Sequence, residues 1–194
     1  MIASTAQAET MDDLVGLLSK FQTYKAHFDQ QSYDQSGEKL QTLQGTMILQ
    51  KPDHFYWESE APYEQKLVCN GKTIWHFDTD LDQVVIQDFA KQAEQAPILV
   101  VLRDPAKLAK SYTLLGAEKK KDSTLIFHLQ AVDKKSALKT VDISFVKQTL
   151  SGLVFIDHLE QKTSIVFSSP ELNAKFPAST FEFVLPEGVD VLYE

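Results

Sequence analysis

Leu14, Leu17, Leu18 and Phe21 recur at i, i+3, i+4 and i+7, which places one apolar stripe on a short helix. Its start is marked by Thr10, a hydroxyl N-cap, and by Asp12 and Asp13 in the first turn, where the helix dipole favours acids. The period then changes at once. Tyr24, Ala26 and Phe28 alternate with Lys25, His27 and Asp29, the two-residue repeat of a strand with one buried face. A polar stretch around Ser36-Gly37 leads to a strand near 43–49, and further strands are expected near 54–58, 65–69, 73–78 and 83–88. Their turns carry Lys51-Pro52-Asp53, Ala61-Pro62 and Asn70-Gly71, the last read as a two-residue type I′ hairpin.

The alternation breaks between Phe89 and Lys110. This stretch holds the apolar block Ile98–Leu102 and then Asp104-Pro105, an N-cap followed by proline at the first helical position. Strand signals resume at 112–116, 124–130, 140–145, 154–159 and 164–167, and a last short strand at 181–185 ends at Pro186. The expected fold is α+β: about ten or eleven antiparallel strands forming an incomplete, strongly curved barrel, with short helices burying their stripes on its open concave side. Two apolar helical segments beside such a sheet suit a removable lid over a hydrophobic cavity.

Composition narrows the function. The chain has 194 residues, 43% hydrophobic, which suits one domain spanning 9–194. Its formal net charge of −8 argues against a nucleic-acid partner, which calls for a basic face. The basic run Lys119-Lys120-Lys121 stands beside Asp122 and reads as a hairpin turn. Arg103 is the sole arginine, so at most one planar fork can clasp a carboxylate or phosphate. The single cysteine, Cys69, rules out an internal disulfide or a multi-cysteine metal site. Ala6-Gln7-Ala8 has the small-x-small form left of a signal-peptidase cut, so residues 1–8 read as a signal remnant and the mature chain as starting near Glu9. A plain Ala/Ser/Thr tail is the alternative.

The usual reaction centres are not found in the sequence. Asp78, Asp80 and Asp82 imitate a calcium loop, but Gln83 and Phe89 stand where it needs Gly and Glu, so the segment reads as a turn. The five histidines form no His-x-x-x-His pair. Gly71-Lys72 lacks the glycines of a phosphate loop, no G-x-S-x-G elbow occurs, and Cys69 has no partner motif. No catalytic residue, metal or cofactor is expected.

The order and spacing of Gly45, Lys51-Pro52, Phe55-x-Trp57, Pro62, Gln65, Val68-x-x-Gly71, Trp75 and Gln83-Val84 closely resemble the periplasmic outer-membrane lipoprotein carrier family, LolA. The likeness extends through the opening helix, the insertion at Ala96-Pro97 and the closing segment 181–191. It implies an incomplete barrel whose helices close over a cavity for acyl chains. Such carriers take acylated lipoproteins from an inner-membrane ABC transporter, cross the periplasm as a monomer and deliver to an outer-membrane receptor. On this resemblance Leu14, Leu17, Leu18, Phe21, Ile98, Val101 and Leu102 belong to the lid, Phe55 and Trp57 to the lipid-binding wall, and Lys51 to the latch that holds the lid. Family members usually carry Arg at the Lys51 position, where it hydrogen-bonds lid carbonyls; Lys lacks the planar fork. Related curved sheets also occur in periplasmic regulatory proteins, so a lipid-sensing or scaffold module is the competing reading.

Overall fold

In a computed structural model that describes residues 9–92 and 97–194, Thr10 caps the first helix as its position predicts. Its Oγ1 accepts from the Asp13 amide at 3.2 Å, and Asp13 Oδ2 accepts from the Thr10 amide at 2.8 Å. Helix α1 follows over Met11–Ser19. The Ala6-Gln7-Ala8 cut and Ala96 of the insertion lie outside the described residues.

Six strands come next: β1 (Thr23–Tyr33), β2 (Lys39–Gln50), β3 (His54–Ser59), β4 (Gln65–Asn70), β5 (Thr73–Asp78) and β6 (Gln83–Asp88). The break in alternation becomes three short helices, α2 (Phe89–Gln92), α3 (Pro97–Leu102) and α4 (Pro105–Ser111). Asp104 starts α4 by accepting from the amides of Ala106 and Lys107 at 3.0 and 3.1 Å. Strands β7 (Tyr112–Lys119), β8 (Thr124–Ala131), β9 (Leu138–Val146), β10 (Thr149–Asp157) and β11 (Lys162–Leu172) complete the second half.

A twelfth strand, β12 (Asp190–Tyr193), ends the chain, and the sheet order is β12-β6-β5-β4-β3-β2-β1-β11-β10-β9-β8-β7. The two consecutive meanders are therefore joined where the first strand meets the last long one, with Phe28 opposite Phe167. The sheet does not close on itself. Its edges are β12 and β7, and α2–α4 carry the chain from one half to the other.

Three expectations are corrected. The strand expected at 181–185 is instead a 3-10 turn, Ala178–Phe181, followed by extended chain that Pro186 and Gly188 (φ 82°) interrupt. Phe181 is buried there with its ring 5.2 Å from that of His54, and Phe183 lies 5.8 Å from Phe77. The sheet is also not wholly antiparallel, because β12 runs parallel to β6, with Val191 opposite Val84. Finally, the Asn70-Gly71 turn is not type I′, since only Gly71 there has positive φ (84°). Asn70 stays extended and makes the turn with its side chain, Oδ1 accepting from the amides of Lys72 and Thr73 at 3.0 and 2.9 Å.

At Gly45 two strands come unusually close. A Cβ built there would lie 1.9 Å from the carbonyl oxygen of Glu58, so the β2 backbone approaches β3 more closely than any side chain permits. Register puts Phe28 of β1, opposite Gly45, and Trp57 of β3, opposite Met47, on the same face, where the two rings stack at 3.6 Å and 24°.

Candidate functional site

The apolar stripe of α1 turns into the concave side of the sheet. Leu14 and Leu18 are fully buried and Phe21, just past the helix, nearly so. Ile98, Leu99, Val101 and Leu102 of α3 and Leu108 of α4 are buried in the same cluster, together with Phe28, Met47, Leu49 and Phe55 from the sheet. The helices thus fill the space that a curved sheet encloses. Leu17 differs from its stripe: it is half-buried and faces a cleft of about 550 Å³ between α1 and the ends of β7–β10, beside Leu125 and Phe145.

Strand alternation sorts the aromatic residues. Phe55 and Trp57 point into the cluster, whereas His54 and Tyr56 face the C-terminal segment on the convex side. Trp57 lies over Phe28, and its ring centroid is 6.1 Å from that of Phe55. Trp75 is placed otherwise. It alternates with the core residue Ile74 and pairs across to Val68, so it sits on the opposite face from Trp57. Tyr24 anchors the seam below α1, its hydroxyl donating to the Leu150 carbonyl at 2.7 Å and its ring packed between Phe21 and Phe167. Burial raises that phenol well above its usual range.

Lys51 leaves the β2–β3 turn and reaches the end of α1. Its Nζ donates to the carbonyl of Leu18 and, at 3.2 Å, to that of Phe21, and it lies 3.8 Å from the centroid of the Phe21 ring. The Leu18 carbonyl is one of those a helix C-terminus leaves unpaired, the Phe21 carbonyl lies just past the helix, and α1 has no basic residue of its own in its last turn. Burial pulls the ammonium down to about 8. Two carbonyl acceptors and the ring face favour the charged form, so at neutral pH the group is a cation held by α1.

The same turn makes a second contact that the sequence did not suggest. Asp53 Oδ1 lies 3.1 Å from Nε of Arg103, which stands between α3 and α4 with its Cζ 4.9 Å from the Phe89 ring centroid. The signal was available in part: Arg103 is the sole arginine and directly follows the apolar block. Its carboxylate partner was hidden because Lys51-Pro52-Asp53 reads as an ordinary turn.

Cys69 backs this turn, its buried Sγ 3.2 Å from the Asp53 carbonyl oxygen. Burial pushes the thiol up to about 11, which keeps it protonated and a poor nucleophile.

The family model described as "Outer membrane lipoprotein carrier protein LolA" matches residues 19–184. An outer-membrane lipoprotein carrier protein of Pseudomonas aeruginosa is 35% identical over 197 residues, covering 100% of this chain and 94% of the relative. One from Hahella chejuensis is 33% identical over 189 residues, covering 97% and 90%. Among solved structures, an uncharacterised conserved protein from Thermus thermophilus superposes with a TM-score of 0.60 at 10% identity, covering 96% of this chain and all of that one, a likeness of fold.

Proposed function

The chain belongs to the LolA family of outer membrane lipoprotein carrier proteins, and on that premise we propose that its concave face takes up the acyl chains of lipoproteins. The lipoprotein would leave an inner-membrane ABC transporter, travel through the periplasm with its lipid in the barrel, and pass to an outer-membrane receptor. The protein works as a carrier, alone in solution, and catalyses no reaction.

One observation supports this reading above the others: the concave side is filled by helices attached at a polar contact, not by the sheet's own packing alone. Leu14, Leu18, Leu99 and Leu102 occupy the place an acyl chain would take, and Lys51 holds the end of α1 there through the carbonyl of Leu18 and that of Phe21 just beyond it. The energetics suit hand-off. Burying an acyl chain is worth about 0.8 kcal/mol per CH₂, on the order of 10 kcal/mol for a chain of typical length. Binding that strong, unopposed, would make release too slow. A lid that seals the empty barrel must be displaced, and its lost contacts subtract from the lipid's gain. In this scheme Leu14, Leu18, Phe21, Ile98, Val101 and Leu102 are the lid, Leu17 its outer margin, Phe55 and Trp57 the wall, and Lys51 the latch.

The test is titration of the folded protein with a triacylated lipopeptide and with its deacylated form. About one equivalent of the acylated ligand should bind and change Trp57 emission, while the deacylated peptide should not. Release of a lipoprotein from inner-membrane spheroplasts into solution separates a carrier from a sensor. No change with intact acyl chains, in a protein shown to be folded, ends the carrier reading.

A further inference from the structure

Lys51 and Asp53 are two residues apart on one turn, yet their side chains go to different helices. Lys51 takes the end of α1; Asp53 takes Arg103 at the α3–α4 corner. Asp53 Oδ1 is shut off from solvent and accepts no hydrogen bond from the other described residues, so the guanidinium 3.1 Å away is what compensates its charge. Arg103 is fixed in turn, its amide donating to the Leu99 carbonyl at 3.1 Å and its guanidinium over the Phe89 ring. The following residue, Asp104, caps α4. The turn itself is held from behind by the Cys69 thiol against the Asp53 carbonyl and by the Lys51 amide bonded to the Gln22 carbonyl at 2.9 Å.

We propose that Asp53 and Arg103 are positioning residues that make the β2–β3 turn a two-sided clasp, so that α1 and the α3–α4 segment leave the concave face together. An exposed ion pair contributes little to stability. This one is only 24% and 34% exposed at the two side chains, and removing the cation strands a buried carboxylate oxygen. Its effect is therefore larger on where the corner sits than on whether the sheet forms. With the corner released, α4 loses its seat beside α1, against which it packs, and Lys51 is left to hold one helix without its neighbour. The meaning of this coupling for lipid traffic rests on the carrier reading; the coupling itself does not.

Amide hydrogen exchange of the full chain without ligand tests it. In Asp53→Asn, exchange should speed up by about tenfold in residues 97–111 and by a similar factor in α1, while β8–β10 (124–157) stays as in the parent. Lys51→Met should show the reciprocal pattern, with 97–111 loosened although the Lys51 ammonium reaches Leu18 and Phe21 at the end of α1. Arg103→Gln is the second route should Asp53→Asn fold poorly, and Arg103→Lys, which keeps the charge, should recover most of the protection. A rise confined to 97–111, or an equal rise throughout β8–β10, overturns the proposal. Because no ligand enters the measurement, failure of lipopeptide binding would sink the carrier reading and leave the clasp standing.

Discussion

The ammonium of Lys51 lies 3.8 Å from the centroid of the Phe21 ring while donating to the carbonyl of that same residue at 3.2 Å. One cation thus holds both the side chain and the backbone of the residue that ends the α1 stripe. Replacing it with leucine keeps the apolar stem and removes every polar contact. Lys51→Leu is expected to weaken the closed form by on the order of 2 kcal/mol, raising affinity for an apolar dye roughly thirtyfold. Release to an acceptor should slow more than uptake. Unchanged dye affinity and unchanged transfer would deny Lys51 its role as latch.

The pH dependence has a definite sign. Held against α1, the ammonium ionises near 8; freed into water, it would do so near the ordinary lysine value of about 10.4. Below 8 both forms carry the proton and the balance between closed and open does not depend on pH. Between the two values the closed form binds fewer protons, so rising pH favours closure. Dye affinity measured at pH 7 and pH 9.5 should fall several-fold at the higher pH. Lys51→Arg should show no such fall, because its guanidinium keeps its proton throughout. A pH response of equal size in Lys51→Arg would assign it to another group.

Trp57 and Trp75 lie on opposite faces of the sheet, which makes them a paired reporter. Ligand entering the concave side must disturb the Trp57–Phe28 stack at 3.6 Å, whereas Trp75 has no part in it. Trp75→Phe should preserve nearly all of the lipid-induced change in fluorescence and Trp57→Phe should abolish it. The reverse result would place the ligand on the convex face.

Gly45→Ala tests the close approach of β2 to β3. A methyl group there would overlap the Glu58 carbonyl at 1.9 Å, and the obstacle is backbone, which cannot swing away. The expected loss is about 3 kcal/mol or more, read as a lower urea midpoint. Gly116, which has open space at the same position, is the control, and Gly116→Ala should change the midpoint little.

Much of this architecture was legible in the chain because strands with one wet face write a period of two. The capped α1, the Asp104-Pro105 start of α4 and the strands from 23 to 167 follow from local pattern alone. The C-terminal end was misread for a physical reason. Phe181–Leu185 alternates like a strand, but Phe181 and Phe183 cover the convex face of another part of the sheet, and the true strand begins just after a glycine. The Asn70 turn failed similarly, because an asparagine side chain can replace the backbone geometry that Asn-Gly usually signals. At the site, Lys51 was visible only through family likeness. Asp53 and Arg103 are fifty positions apart, and nothing local in either segment marks them as partners.

The pairing of Phe28 with Phe167 has a consequence for how the chain is built. Strand β1 is among the first segments to be synthesised, but one of its two neighbours arrives nearly 140 residues later. Until β11 is made, β1–β6 can assemble only as a half-sheet whose β1 side lies open, with unpaired amides and carbonyls along it. The seam down the middle of the finished molecule is therefore a late join, followed by that of β12 to β6, and a nascent chain stalled before residue 162 would present a sticky rim to any other strand nearby.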